Sequence, residues 1–390
     1  METLFIQKIS IFVCLCFILC GCITEYEPTG VKELAEILVV EGIITDDETT
    51  ITLSRSVNIT GDYLYSSSSS SYYSSSPLYV DNAEVYVECD DGTQFLADPL
   101  AIRRNGIYTI KTGQLNPECK YRLKIEIEEK DGDCYPAGDW GGMICPTKIY
   151  EYSSDFSYLI ETPEIDSVFW MKRALGQPVS IYIATHSPEL KVLYYRWSYK
   201  EDWEINSTYF LADYPFYCWS SGSSRELLLG SAEKTVFGRI MDQLTEISPS
   251  DRKFSVLYRI DVKQNVISKR AYDYFANIKK NAEQRGSIFA PVPSELRGNI
   301  TCITDPGRPV IGYVDISTTT QKRRYIRSWE VYERPRNCEL ISIESLLQWY
   351  GAIPSYYVPY PPSSNTYVHV QCVDCSLYAA TQKPEDWPNN

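Results

Sequence analysis

Residues 121–128 read Tyr-Arg-Leu-Lys-Ile-Glu-Ile-Glu, apolar and charged side chains in strict alternation. A helix would scatter that pattern around its whole circumference. A strand places Tyr121, Leu123, Ile125 and Ile127 on one face and the charges on the other. Such a strand has one face on a core and one in water, so other parts of the chain must supply a second layer. Val85, Val87 and Cys89 alternate in the same way, and Asp90-Asp91-Gly92 follows as a hairpin turn. Ile37–Thr45 and Ile51–Ile59 form a further expected pair around Asp46-Asp47-Glu48. Short strands at this spacing predict an immunoglobulin-like β-sandwich over residues 37–146.

The second half repeats the style with longer segments. Val179–Thr185, Leu193–Trp203, Phe254–Gln264, Val310–Ser317 and Tyr325–Glu333 are rich in β-branched and aromatic residues and are read as strands. One helix is expected near residues 269–284. Ser268 caps it, Ala271, Tyr274, Phe275, Ile278 and Ala282 form its apolar stripe, and Gly286 closes it. The fold class is therefore mainly β, with the sandwich followed by a larger β-rich domain, residues 147–390, that carries one packed α-helix. A length of 390 residues suits two such domains. Residues 63–77 are serine-rich and bury too little to offset the entropy of ordering, so they are read as a loop inside the first domain. Tyr63, Tyr65, Tyr72 and Tyr73 are its candidate contact residues; the competing reading is a tolerated low-complexity insertion.

At the N-terminus, Lys8 precedes an apolar run from Ile9 to Leu19, too short to span the roughly 30 Å of a bilayer's hydrocarbon. Leu19-Cys20-Gly21-Cys22 then reads as a lipobox, making residues 1–21 a lipoprotein signal peptide, Cys22 the lipidated residue and residues 22–36 a tether. The alternative is a plain cleaved signal with a free cysteine nearby. Acyl chains contribute about 0.8 kcal/mol per buried methylene, enough for stable anchoring. Anchoring is needed, because 37 basic against 51 acidic residues leave a net charge of −14. That charge repels anionic headgroups and phosphate backbones alike, which argues against nucleic acid as a partner. No Asp stands at the second position, and Glu25 and Glu27 close behind Cys22 resemble the export signal of surface lipoproteins, which implies the outer membrane, facing the cell surface, as the expected location.

Nine cysteines follow the anchor, and in an exported chain they are disulfide candidates, with at least one left over. Cys134 and Cys145 flank a Gly- and Pro-rich loop suited to a local bridge. Cys338, Cys372 and Cys375, with His369 nearby, fit disulfides, free thiols or, less well, a zinc site that lacks the usual second paired spacing. No metal and no cofactor is expected. His186 and His369 are the only histidines, His186 in an expected turn, and neither sits in a recognisable catalytic pattern; no enzyme activity is expected. The 32 Tyr and 8 Trp residues point instead to an aromatic surface for a peptide or glycan ligand, weighed against their ordinary use in β cores.

Several local patterns then carry a family resemblance. They are Leu38-Val39-Val40-Glu41-Gly42, Ile51–Ser56, Ile165-Asp166-Ser167-Val168, Tyr194-Tyr195-Arg196-Trp197, Glu201-Asp202-Trp203-Glu204 and Cys218-Trp219. They continue through Ala271–Phe275, Gly286–Phe289, Pro291–Ser294, Gly298-Asn299-Ile300 and Val310–Tyr313 to Cys372–Cys375 and Lys383–Pro388. Over roughly residues 37–388 the chain resembles the Bacteroidetes outer-membrane lipoproteins grouped as domain-of-unknown-function family 4249. Ala379-Ala380 depart from the glycine pair usual there. The resemblance implies a surface or periplasmic lipoprotein, often encoded beside a TonB-dependent receptor, with no established catalytic residues to carry over. An accessory ligand-capture or docking role on such a receptor is the expected function. A structural or assembly role in the envelope is the alternative. Asp166-Ser167-Val168 also resembles the O-glycosylation sequon of this bacterial group, although three residues of this kind equally begin an ordinary strand.

Overall fold

The structure, a computed structural model, describes residues 37–56, 78–98, 105–136, 143–187, 193–248, 251–283, 298–331 and 338–388. The expected leader, Cys22, the tether and the loop tyrosines Tyr63, Tyr65, Tyr72 and Tyr73 lie outside them, as does Gly286. Among the described residues no helix is long and apolar enough to cross a membrane. The chain is mainly β, built from several mostly antiparallel sheets.

The alternating segment is the central strand Lys120–Lys130, whose Tyr121, Leu123, Ile125 and Ile127 are each no more than 3% exposed. Ala83–Cys89 pairs with one edge and Thr147–Ser154 with the other. The facing sheet is centred on Asp47–Arg55, flanked by Leu38–Ile43 on one side and by Leu78–Tyr79 and Ile107–Gly113 on the other. Leu38, Val40, Ile51, Leu53 and Ile110 meet Val85, Val87, Leu123, Ile125 and Ile127 in one continuous core. Burying each of these side chains contributes about 2 kcal/mol.

This sandwich does not end at residue 146, where the sequence reading divided the chain. Thr147–Ser154 runs along Lys120–Lys130 from Thr147 opposite Lys130 to Ser153 opposite Lys124. Ile300–Cys302 then extends the same sheet, and Val310–Gly312 lies parallel to Leu38–Ile43 at the edge of the other. Val314 and Ile316 complete the first core. The physical reason is edge protection: without the returning segment, Leu38–Ile43 would present unpaired backbone groups beside an apolar core. The return is close-packed, for a Cβ on Gly298 would stand 1.5 Å from the Gly312 carbonyl oxygen.

A second sandwich follows. Its smaller sheet joins Ile165–Lys172, Val179–His186 and Arg239–Ile247. Its larger sheet runs Tyr217–Ser223, Tyr194–Asn206, Leu257–Val266 and Thr319–Arg327, with Leu228–Ser231 also pairing the long Tyr194–Asn206 strand. Val179, Ile181 and Ile183 pack against Tyr195, Trp197, Tyr258, Ile260 and Val262. The expected strand Tyr325–Glu333 is found as Thr319–Arg327 followed by a helical turn, Ser328–Val331. Glu330 causes the switch: its carboxylate accepts from the Arg327 backbone N–H at 2.8 Å and pairs with Arg324.

The expected helix spans Lys269–Glu283, and the Ser268 hydroxyl accepts from the Ala271 backbone N–H. Ala271 and Tyr274 are buried, Phe275 and Ile278 half-buried, and Ala282 exposed at the end of the stripe. The helix packs at the joint between the sandwiches, where Ala271 and Phe275 share a cluster with Ile43 of the first and Tyr194 of the second.

Near the C-terminus a small sheet of Ile341–Ser342, Tyr357–Pro359 and Thr366–His369 carries a helix, Ile343–Tyr350. The last described residues return to the outer face of the large sheet. Trp219 and Ala380 exchange backbone hydrogen bonds at 2.7 and 2.9 Å. Trp387, 5% exposed, donates to Glu204 at 2.9 Å and stacks near Arg259. Asp386 pairs with Arg259 at 2.7 Å and with Arg323 at 3.0 Å, which holds its carboxyl below the ordinary aspartate range.

Candidate binding groove

The bridging cysteines set the frame. Cys134 pairs with Cys145, Cys338 with Cys372, and Cys375 with Cys218. Cys89, Cys119 and Cys302 remain thiols. Cys338, His369, Cys372 and Cys375 therefore do not assemble as a ligand set, since disulfide sulfurs are not available as thiolates. His369 instead accepts from the Gln371 backbone N–H at 3.2 Å. Among the described residues Cys89, Asp90 and Cys119 cluster closely enough to share an ion. Burial pushes the Cys89 thiol up to about 12, which opposes the thiolate that a metal needs. His186 ends a strand rather than sitting in a turn, and its Nδ1 lies 2.7 Å from the carboxylate of Asp166 in the neighbouring strand.

The feature best shaped to hold a ligand is a groove of about 700 Å³ at the mouth of the second sandwich. That volume is within the usual range for small-molecule sites. The odd-numbered residues of Tyr194–Asn206 build its floor: Tyr199 and Trp203, both half-buried, flank the buried Glu201. Strand Arg239–Ile247 contributes the exposed Gln243 and Glu246 from the opposing sheet, and Arg225 and Glu226 form the near rim. Two flat rings thus lie among alternating donors and acceptors, a surface that stacks on an apolar face and hydrogen-bonds around its edge.

Glu201 organises the floor. One oxygen accepts from Lys253 Nζ at 2.6 Å and the other from the Tyr258 hydroxyl at 2.7 Å. Burial and the Glu201 charge push the Tyr258 phenol well above its ordinary value, so it stays a donor. Lys253 stands 4.9 Å from the Trp203 ring centroid, a cation–π contact that fixes both side chains. Gly222 is required beside them, since a Cβ there would lie 2.8 Å from Glu201 Oε1. The arrangement is pre-organised, with both carboxylate oxygens already engaged; it is built to hold a shape. The sequence reading weighs an aromatic surface against ordinary core use and places its candidate contacts at Tyr63, Tyr65, Tyr72 and Tyr73, outside the described residues; it misses this groove, whose signal is Tyr199-x-Glu201-x-Trp203 on one strand face.

The family model described as Domain of unknown function (DUF4249) matches residues 23–133 and 144–323, well over half of the chain. The chain belongs to this family. The DUF4249 match takes in the first sandwich, the second as far as Arg323, the joint helix and every residue of the groove. It stops before the small C-terminal sheet, so Cys338, Cys372, Cys375 and the Asp386–Trp387 tail, also included in the resemblance read from the sequence, lie beyond it. No curated protein matches the chain.

Proposed function

We propose that this DUF4249 protein is an accessory ligand-capture lipoprotein of the outer membrane, tethered at the cell surface through Cys22. In this reading it holds a glycan or short peptide for a TonB-dependent receptor and catalyses no reaction. The observation that carries it is the pre-formed groove: half-buried Tyr199 and Trp203 beside a fixed Glu201–Lys253 pair, with a polar rim. The lipobox at Leu19–Cys22 and the net charge of −14 supply the rest, because a body so acidic needs a covalent anchor to stay beside a bilayer.

Two expected outcomes test the halves of this reading separately. On an array of oligosaccharides and tripeptides, the mature chain should bind a defined subset, and Trp203→Ala should weaken those hits at least tenfold while the fold persists. Hits that survive Trp203→Ala unchanged would move the ligand site elsewhere. For the anchor, Cys22→Ala should shift the protein from the membrane pellet to the soluble fraction; a variant that pellets as the wild type does rules out the tether. Recovery of a large β-barrel receptor with the wild-type protein from solubilised outer membranes supports the partner, and recovery with assembly factors alone counts against it.

A further inference from the structure

The large sheet of the second sandwich has an outer face, and the even-numbered residues of Tyr194–Asn206 lie on it. The register places Arg196 opposite Asn265, Ser198 opposite Lys263 and Asp202 opposite Arg259, so all share that face. Thr319–Arg327 adds Gln321 beside Lys263 and Arg323 beside Asp261. The groove described above opens from the other side of the same strand, so the two surfaces are separate.

On this face the arginines reveal what they are made to bind. Arg259 is met by Asp202, Asp261 and Asp386, and Arg323 by Asp261 and Asp386. Carboxylates, one of them brought by the C-terminal tail, satisfy both. Arg196 differs. It is half-buried, its guanidinium is stacked 4.9 Å from the Phe275 ring centroid, and among the described residues it has neither an ion pair nor a hydrogen-bond acceptor. Burial lowers its pKa, and the charge of Glu41 opposes that shift without pairing with it. A half-buried guanidinium with no carboxylate beside it among the described residues keeps its donors available to an acceptor from outside.

The space for that acceptor exists. Arg196 lines a cleft of about 570 Å³ between the two sandwiches. Arg196 and Lys263 stand on one wall, while Asp46, Asp47 and Glu48 of the Leu38–Arg55 hairpin stand on the other. Asp46 is partly committed, accepting from the Thr319 backbone N–H at 3.2 Å, but Asp47 and Glu48 are exposed. A cleft with a cationic and an anionic wall suits a ligand carrying both charges.

We infer that the cleft at Arg196 binds a zwitterionic amino acid or short peptide, with its carboxylate on Arg196 and Lys263 and its ammonium toward Asp47 and Glu48. The planar fork of Arg196, pre-oriented by Phe275, takes the carboxylate in two parallel hydrogen bonds. Lys263 adds a point charge.

Isothermal titration of the mature chain with triglycine, at constant ionic strength, tests this. Triglycine should bind, and its C-terminal amide should bind at least tenfold more weakly. Arg196→Met, which keeps an apolar stem against Phe275, should lose at least tenfold in affinity. Lys263 is exposed, so Lys263→Met leaves the fold untouched and should cost at least threefold even if the arginine variant does not fold. The inference is overturned if triglycine gives no binding, if the amide binds as well as the free acid, or if either folded variant binds as the wild type does.

Discussion

Arg259→Met should lower the stability of the second sandwich by about 3 kcal/mol, read as a reduced urea midpoint with an unchanged slope. The Arg259 side chain is 6% exposed and faces Asp202, Asp261 and Asp386. Removing the guanidinium strands the Asp202 carboxylate, which is 16% exposed, whereas Asp261 retains Arg323. It also removes one wall of the Trp387 site. Asp386→Asn should cost far less, under about 1 kcal/mol, because that carboxylate is 55% exposed and its pairing is screened by water. Similar losses from the two variants would show that the tail, rather than the buried cation, carries the stability. The same contacts fix the sign of a pH effect. The Asp386 carboxyl is depressed in the folded state, by the Arg259 hydrogen bond first, so its contribution is complete above the ordinary aspartate value of 3.8. It is lost only as pH falls below that value, and tail protection against proteolysis should follow the same course.

The second large effect concerns Cys218–Cys375, which joins positions 157 residues apart. In the chain-entropy description, closing a loop of that length stabilises the native state by roughly 5 kcal/mol, whereas a separation of 11 residues, as in Cys134–Cys145, gives about 3 kcal/mol. Replacing Cys218 and Cys375 together by alanine should therefore lower the denaturation midpoint more than replacing Cys134 and Cys145. It should also increase hydrogen exchange in the segment after Cys375, because non-covalent contacts such as Tyr378 on Arg252, the Trp219–Ala380 backbone pair, Asp386 and Trp387 would then hold it without the covalent link. Equal midpoints for the two double variants would contradict the loop-length argument.

Legibility in the sequence followed the length of each repeating pattern. Tyr121–Glu128 alternates over eight residues, long enough for period two to exclude a helix, and its buried face is the one expected. The helix after Ser268 was readable for the same reason, through cap and stripe together. Ile300–Cys302 and Val310–Gly312 are three residues each, too short to show any period, so their return to the first sandwich was invisible. Tyr325–Glu333 misled because β-branched and aromatic content outweighed one local capping carboxylate, Glu330. Of the site, the aromatic load was evident, but Glu201, Lys253 and Arg196 look like solvated charges until the strand register gives each a face. Asp386 and Trp387 act through partners 63 to 183 residues away, separations that no local pattern encodes.

The parallel seating of Val310–Gly312 against Leu38–Ile43 has a consequence for the order of assembly. The first sandwich cannot finish its edge, or seal Leu38 and Val40, before the chain has been made past residue 316, long after its other strands exist. In the exported protein proposed above, the N-terminal half, first to leave the translocation channel, must wait, unfinished, for a segment that follows nearly all of the second sandwich. The two bodies are thus threaded into one cooperative unit, and a fragment ending at residue 299 should be prone to aggregation rather than a smaller version of the protein.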